Sequence, residues 1–152
     1  MITSYHKEFL SQPLALWMGS ASAENIPDTV RCLGIVVEDE NILKCFIAER
    51  FSEEFIRNLS QNKNINIAGS HMFSFKGYQY KGEMIDIRPS SHEEVEIQKQ
   101  YMDVFSTDMA KFGLEKQRLY DMYFHLPSVA IRMKVNKIYE QAPEANTGGE
   151  VQ

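Results

Sequence analysis

The chain of 152 residues lacks most of the signals that would declare a function outright. It has only two cysteines, Cys32 and Cys45, both inside apolar runs. Such residues read as small buried hydrophobes in a reducing compartment and supply no disulfide framework. The four histidines (His6, His71, His92, His125) share no ligand spacing, so no zinc motif and no metal site is expected. A Gly-rich nucleotide loop and a Gly-x-Ser-x-Gly elbow are both missing. No apolar run approaches the roughly 18 residues of a membrane span. Basic charge is scarce: 16 Lys and Arg against 21 Asp and Glu leave a net charge of −5. Without a basic block, nucleic acid is excluded as the main partner, because phosphate backbones need clustered cations. The opening Met-Ile-Thr-Ser-Tyr-His-Lys-Glu lacks the charged-then-apolar order of a signal peptide, so a cytoplasmic location is expected.

What is present fits one domain with a real core. Thr3–Gln12 reads as a short helix ended by Pro13. Leu14–Ser20, Thr29–Val37 and Ile42–Ala48 read as strands, the last two joined by an acidic turn of hairpin length. A helix N-capped by Ser52 follows and closes at Asn62–Asn64. Ile65–Phe73 and Tyr78–Arg88 are the next strands; strict alternation puts Tyr78, Tyr80, Gly82, Met84 and Asp86 on one face. Ser91 and Glu94 form a capping box for a helix with Ile97, Tyr101, Val104 and Phe105 at helical spacing. A second helical piece spans 114–124, and Ser128–Tyr139 alternates as a last strand. Six sequential, hairpin-linked strands and three or four helices predict a mainly β chain with α: an antiparallel β-barrel decorated by helices. The domain covers 1–140, and 141–152 reads as a flexible polar tail.

Three local features carry chemistry. The stretch Ile42–Leu59 feeds a strand through a short turn into a helix, and a helix N-terminus favours anions. Yet the first helical turn holds Glu53 and Glu54, which would repel a phosphate there or else serve only to complement the helix dipole. Arg50, in the turn, could grip an anion with two hydrogen bonds, whereas Arg57 reads as a solvated charge. Arg31 sits among apolar strand residues and therefore needs a partner: a ligand anion, Glu83 or Asp86. Gln79 and Lys81 share one strand face, offering either a site or a solvated surface. Tyr101, Met102, Tyr120, Met122 and Tyr123 read as a helix face packed on a sheet rather than a cofactor box. No nucleophile or general acid stands beside a partner, so catalytic residues are unassigned.

Five motifs in order resemble the pyridoxamine 5'-phosphate oxidase-like family of FMN-binding split barrels. They are Leu16–Ala23 with Ile26-Pro27-Asp28; Arg31-Cys32-Leu33-Gly34; Phe46–Ser52 with Asn58-Leu59 and Asn62; Tyr78-Gln79-Tyr80-Lys81-Gly82; and Val135–Pro143. The resemblance implies a six-stranded antiparallel split β-barrel, a homodimer, FMN in the groove between subunits and an oxidoreductase acting on a small molecule. It implies cofactor-binding roles for Arg31 at the phosphate and for Ala48, Arg50 and Ser52 around the phosphate and ribityl side. Gln79 and Lys81 would lie near the isoalloxazine. Glu53 and Glu54 stand where many flavin-binding members have Arg and Lys, and Val36 where the oxidase is basic. The oxidase's C-terminal Arg- and His-bearing motif is absent, which implies a reaction other than pyridoxamine phosphate oxidation. The alternative on the same scaffold is a non-enzymatic protein that has lost FMN or holds haem or another planar ligand, with His71 as the haem-ligand candidate.

Overall fold

Alternating apolar and polar residues run through six antiparallel strands that close on themselves. The computed structural model describes residues 1–145 and 147–151. Its elements are α1 (Ser4–Leu10), β1 (Leu14–Ala21), β2 (Pro27–Asp39), β3 (Ile42–Ala48), α2 (Glu53–Gln61), β4 (Asn64–His71), β5 (Gly77–Pro89), α3 (His92–Ala110), α4 (Lys116–Tyr123), β6 (Ser128–Glu140) and β7 (Glu150–Val151). The strand order is β3-β2-β1-β4-β5-β6, and pairing of β3 with β6 closes the barrel. Within the tail, β7 adds to β6 outside the closed barrel. The expected barrel is therefore present. No described helix is long and apolar enough to cross a membrane.

Leu14, Leu16, Met18, Leu43, Cys45, Ile47, Ile67, Tyr80, Ile131 and Met133 fill the interior and are fully buried. Two helices stopper its ends. Phe9 and Leu10 of α1 pack where β1 begins, and a capping box between Thr3 and His6 starts that helix. Phe55 and Leu59 of α2 join the same core, while Asn58 Nδ2 donates to Ser20 Oγ at 3.3 Å and Asn62 Nδ2 to the Ala21 carbonyl at 2.8 Å. The paired asparagines thus tie α2 to the β1–β2 hairpin. Both cysteines are free and buried, as small core residues.

Two bulges in the β5–β6 ladder change which residues face outward. One leaves Ile85 unpaired between Met84 and Asp86. It turns Asp86 off the core face, where strict alternation places it, and onto Arg132 at 2.9 Å. The other leaves Asn136 unpaired between Val135 and Lys137. Beside it the ladder is very tight: a Cβ on Gly82 would lie 1.8 Å from the Lys134 carbonyl oxygen.

The helix α3 covers the outer faces of β2, β3 and β6, with Met102 packed on Leu33, Phe46, Ala48 and Ala130. Its buried face is Glu94, Gln98, Met102, Phe105 and Met109, so Ile97 and Val104 of the expected stripe are exposed. Polar residues occupy that face because an ion network pins the helix start. Glu94 accepts from Arg88 through two nitrogens at 2.7 Å each and meets Lys44 at 3.0 Å. Lys44 also meets Glu38 at 2.9 Å, and Arg132 bridges Glu38 and Asp86. The Arg88 hydrogen bonds, then the Ser91 amide and Lys44, hold the Glu94 carboxyl down at about 2 against burial that opposes them.

Two outcomes follow from this packing. Gly82→Ala forces the backbone apart and is expected to lower unfolding free energy by at least about 2 kcal/mol in a denaturant titration. Glu94 is depressed in the fold, so its contribution is present above an unfolded pKa of 4.5 and is lost as pH falls toward about 2. Stability should drop by up to about 3 kcal/mol across that window, and Glu94→Gln should flatten this part of the pH profile.

Candidate functional site

The barrel interior is full, so ligand chemistry belongs to the outer faces. Arg31 on β2 lies half-buried at the edge of the face that α3 covers. Its guanidinium carbon sits 4.5 Å from the Phe105 ring centroid, 5.0 Å from Tyr123 and 5.5 Å from Trp17. One terminal nitrogen donates to the Tyr101 hydroxyl at 3.1 Å, and that hydroxyl donates to the Leu14 carbonyl at 2.6 Å. Burial pushes the Tyr101 phenol pKa well above its ordinary value, so it stays protonated and keeps donating to Leu14. No carboxylate lies within 4.0 Å of Arg31 among the described residues; Asp86, a partner that the sequence allowed for it, serves Arg132 instead. The Arg31 Nε is buried with no acceptor. A desolvated cation with an orphan donor asks for an anion.

Arg31 opens onto a groove of about 270 Å³ lined by Trp17, Thr29, Val30, Ala48, Phe51, Met122 and Tyr123. Trp17, Phe51 and Met122 are exposed there, an apolar wall beside a cation. Ala48 ends β3 and lines this groove. A single 3-10 turn, Glu49–Phe51, then aims Phe51 into it and leaves Arg50 outside, stacked on the Phe51 ring at 5.5 Å. Ser52 does not cap α2: its side chain is fully buried and donates to the Glu49 carbonyl at 2.9 Å. The tight turn carries Ser52 out of the extended geometry an N-cap needs. Glu53 and Glu54 do not line this groove, and Glu54 is ion-paired with Arg57.

Gln79 and Lys81 are not beside Arg31. The register runs Arg31–Trp17–Ala68–Gln79 across β2, β1, β4 and β5, three strand spacings, or about 14 Å. Both residues line a second groove of about 480 Å³ with Asn64, Asn66, Asn136 and Lys137. Gln79 Nε2 donates to Asn66 Oδ1 at 3.3 Å, and the Lys81 ammonium lies 4.7 Å from the Tyr139 ring centroid. His71 ends β4, where its Nδ1 accepts the Ser74 amide at 3.2 Å, so it stabilises the β4–β5 turn. Among the described residues no cluster of His, Cys, Asp and Glu could hold a metal. The sequence did not reveal the Trp17–Phe105–Tyr123 cage or Phe51, because each comes from a different element. Tyr123 packs against the core as read from the sequence and also walls the groove, whereas Met122 is exposed there.

No protein-family model matches the chain, and no curated protein matches it in sequence. Solved structures do match in shape. HupZ from Group A Streptococcus is 16% identical, with 97% of this chain and 100% of that one covered at a TM-score of 0.59. A putative pyridoxamine 5'-phosphate oxidase from Lactobacillus delbrueckii is 10% identical, covering 90% of this chain and 92% of the other at 0.55. The chain has the pyridoxamine 5'-phosphate oxidase-like split-barrel fold. An FMN-binding protein from Syntrophomonas wolfei shares it at 11% identity, covering 86% and 78% at 0.54. Within this split barrel Tyr101 is the link between α3 and Arg31. Tyr101→Phe strands the Leu14 carbonyl and one Arg31 nitrogen and is expected to cost about 1–3 kcal/mol of stability in thermal or denaturant unfolding.

Proposed function

We propose that this split barrel is an FMN-binding oxidoreductase that works as a homodimer. The observation that carries the reading is Arg31: a caged, half-buried guanidinium with no carboxylate partner among the described residues, lining an apolar groove that itself has no carboxylate. A phosphate monoester supplies the missing counter-charge and acceptor, and the Trp17 and Phe51 rings suit a flat apolar ligand body. The residues present therefore fit the group. Likeness to an FMN-binding protein of the same fold supports the choice of FMN.

When bound, FMN supplies the redox chemistry. The protein's part is to bind and orient. Arg31 neutralises the phosphate, Tyr101 fixes the guanidinium, and Ala48 keeps the groove floor open. Gln79 and Lys81 stand about 14 Å away across three strands, so one ligand meets both sets best when a second copy brings its own Gln79 and Lys81 against Arg31. Exposed Trp17, in the row between the two sets, would be covered in that dimer.

Flavin fluorescence quenching tests the reading. FMN is expected to bind much more tightly than riboflavin, and Arg31→Gln to weaken FMN binding about 10–100-fold while leaving riboflavin little changed. Glu53→Gln with Glu54→Gln is expected to alter FMN affinity by no more than about threefold, since neither lines the groove. Equal binding of FMN and riboflavin, or binding of neither, overturns the proposal.

A further inference from the structure

The second groove contains an electrostatic anomaly. Lys81 and Lys137 are direct cross-strand partners on β5 and β6. Like charges facing each other across a ladder destabilise it. The Asn136 bulge creates the pairing: Val135 and Ile138 are buried on the core side, and the extra residue turns Lys137 outward opposite Lys81. Glu150 of β7 pairs with Lys137 at 3.1 Å. Lys81 meets no carboxylate within 4.0 Å among the described residues and rests only on Tyr139.

The surroundings sharpen the anomaly. In a chain of net charge −5, the groove is lined by two lysines, the carboxamides of Asn64, Asn66, Gln79 and Asn136, and Ser20; Glu150 sits on Lys137, which leaves Lys81 as the ammonium with no carboxylate partner among the described residues. Lysines supply point charge, and carboxamides both donate and accept. This lining matches a hydrophilic anion, and it differs from the aromatic wall beside Arg31. A neutral flavin ring by itself asks for no pair of ammonium groups.

We propose that this groove binds the oxyanion, carboxylate or phosphate, of a small polar molecule through Lys81 and Lys137, with the carboxamides taking its remaining polar groups. That this molecule is the substrate rests on the flavin dimer proposed above; the anion site itself does not.

Calorimetric titration of FMN-free protein at constant ionic strength tests the site, with inorganic phosphate and acetate as separate probes against chloride. Saturable binding of either probe is expected, and the tighter one names the oxyanion. Measured in an Arg31→Gln background, so that the first groove does not take the probe, Lys81→Gln should weaken it about tenfold and Lys81→Arg should retain it. In anion-free buffer Lys81→Gln should also raise the melting temperature, because it removes the like-charge contact. No binding above chloride, or a response abolished by Arg31→Gln and kept by Lys81→Gln, overturns the inference. FMN uptake is read separately by flavin absorbance. A protein that binds the probe through Lys81 but takes up no FMN keeps the anion site and loses the flavin reading.

Discussion

Closure of the sheet between β3 and β6 is the constraint on which everything else depends. Once those strands pair, six inward faces meet and fill the centre with Leu16, Met18, Leu43, Ile67, Tyr80 and Met133. Helices α1 and α2 then block the two open ends. A small barrel packed in this way has no internal cavity for a ligand. Chemistry is forced onto the outside, and the placement of α3 decides which part of the outside remains free.

The helix α3 is held over β2, β3 and β6 by apolar contacts through Met102 and by the ion network at Glu94. Its far half brings Tyr101 and Phe105 to the border of the uncovered face. Arg31 lies on that border. Taking a guanidinium partly out of water without an ion partner is costly, and stacking on three rings with one hydrogen bond offsets only part of that cost. The guanidinium keeps its charge without a carboxylate partner among the described residues, at the mouth of an apolar groove.

The strands and the barrel were legible because period-2 alternation and hairpin-length turns survive in the sequence; the pairing of β4 with β1 was not. The capping box at Ser91 was legible too, where a local pattern reports a local contact. Arg31 was recognisable as unusual from its apolar neighbours. What escaped depends on geometry that spacing does not encode. The 3-10 turn swapped Phe51 for Arg50 and buried Ser52. One bulge moved Asp86 to Arg132, and another set Lys137 against Lys81. Polar Glu94 and Gln98 took the inner face of α3 because their partners lie outside the helix. Glu53 and Glu54 stand out along the chain but do not line the groove beside Arg31.

The central claim is that Arg31 holds the phosphate of FMN. A crystal structure of the FMN-loaded protein tests it most directly. The account predicts the phosphate within hydrogen-bonding distance of the terminal nitrogens of the Arg31 guanidinium, with the flavin lying along the Trp17–Phe51 groove. FMN bound with its phosphate away from Arg31, whether at Lys81 or at the start of α2, would contradict it.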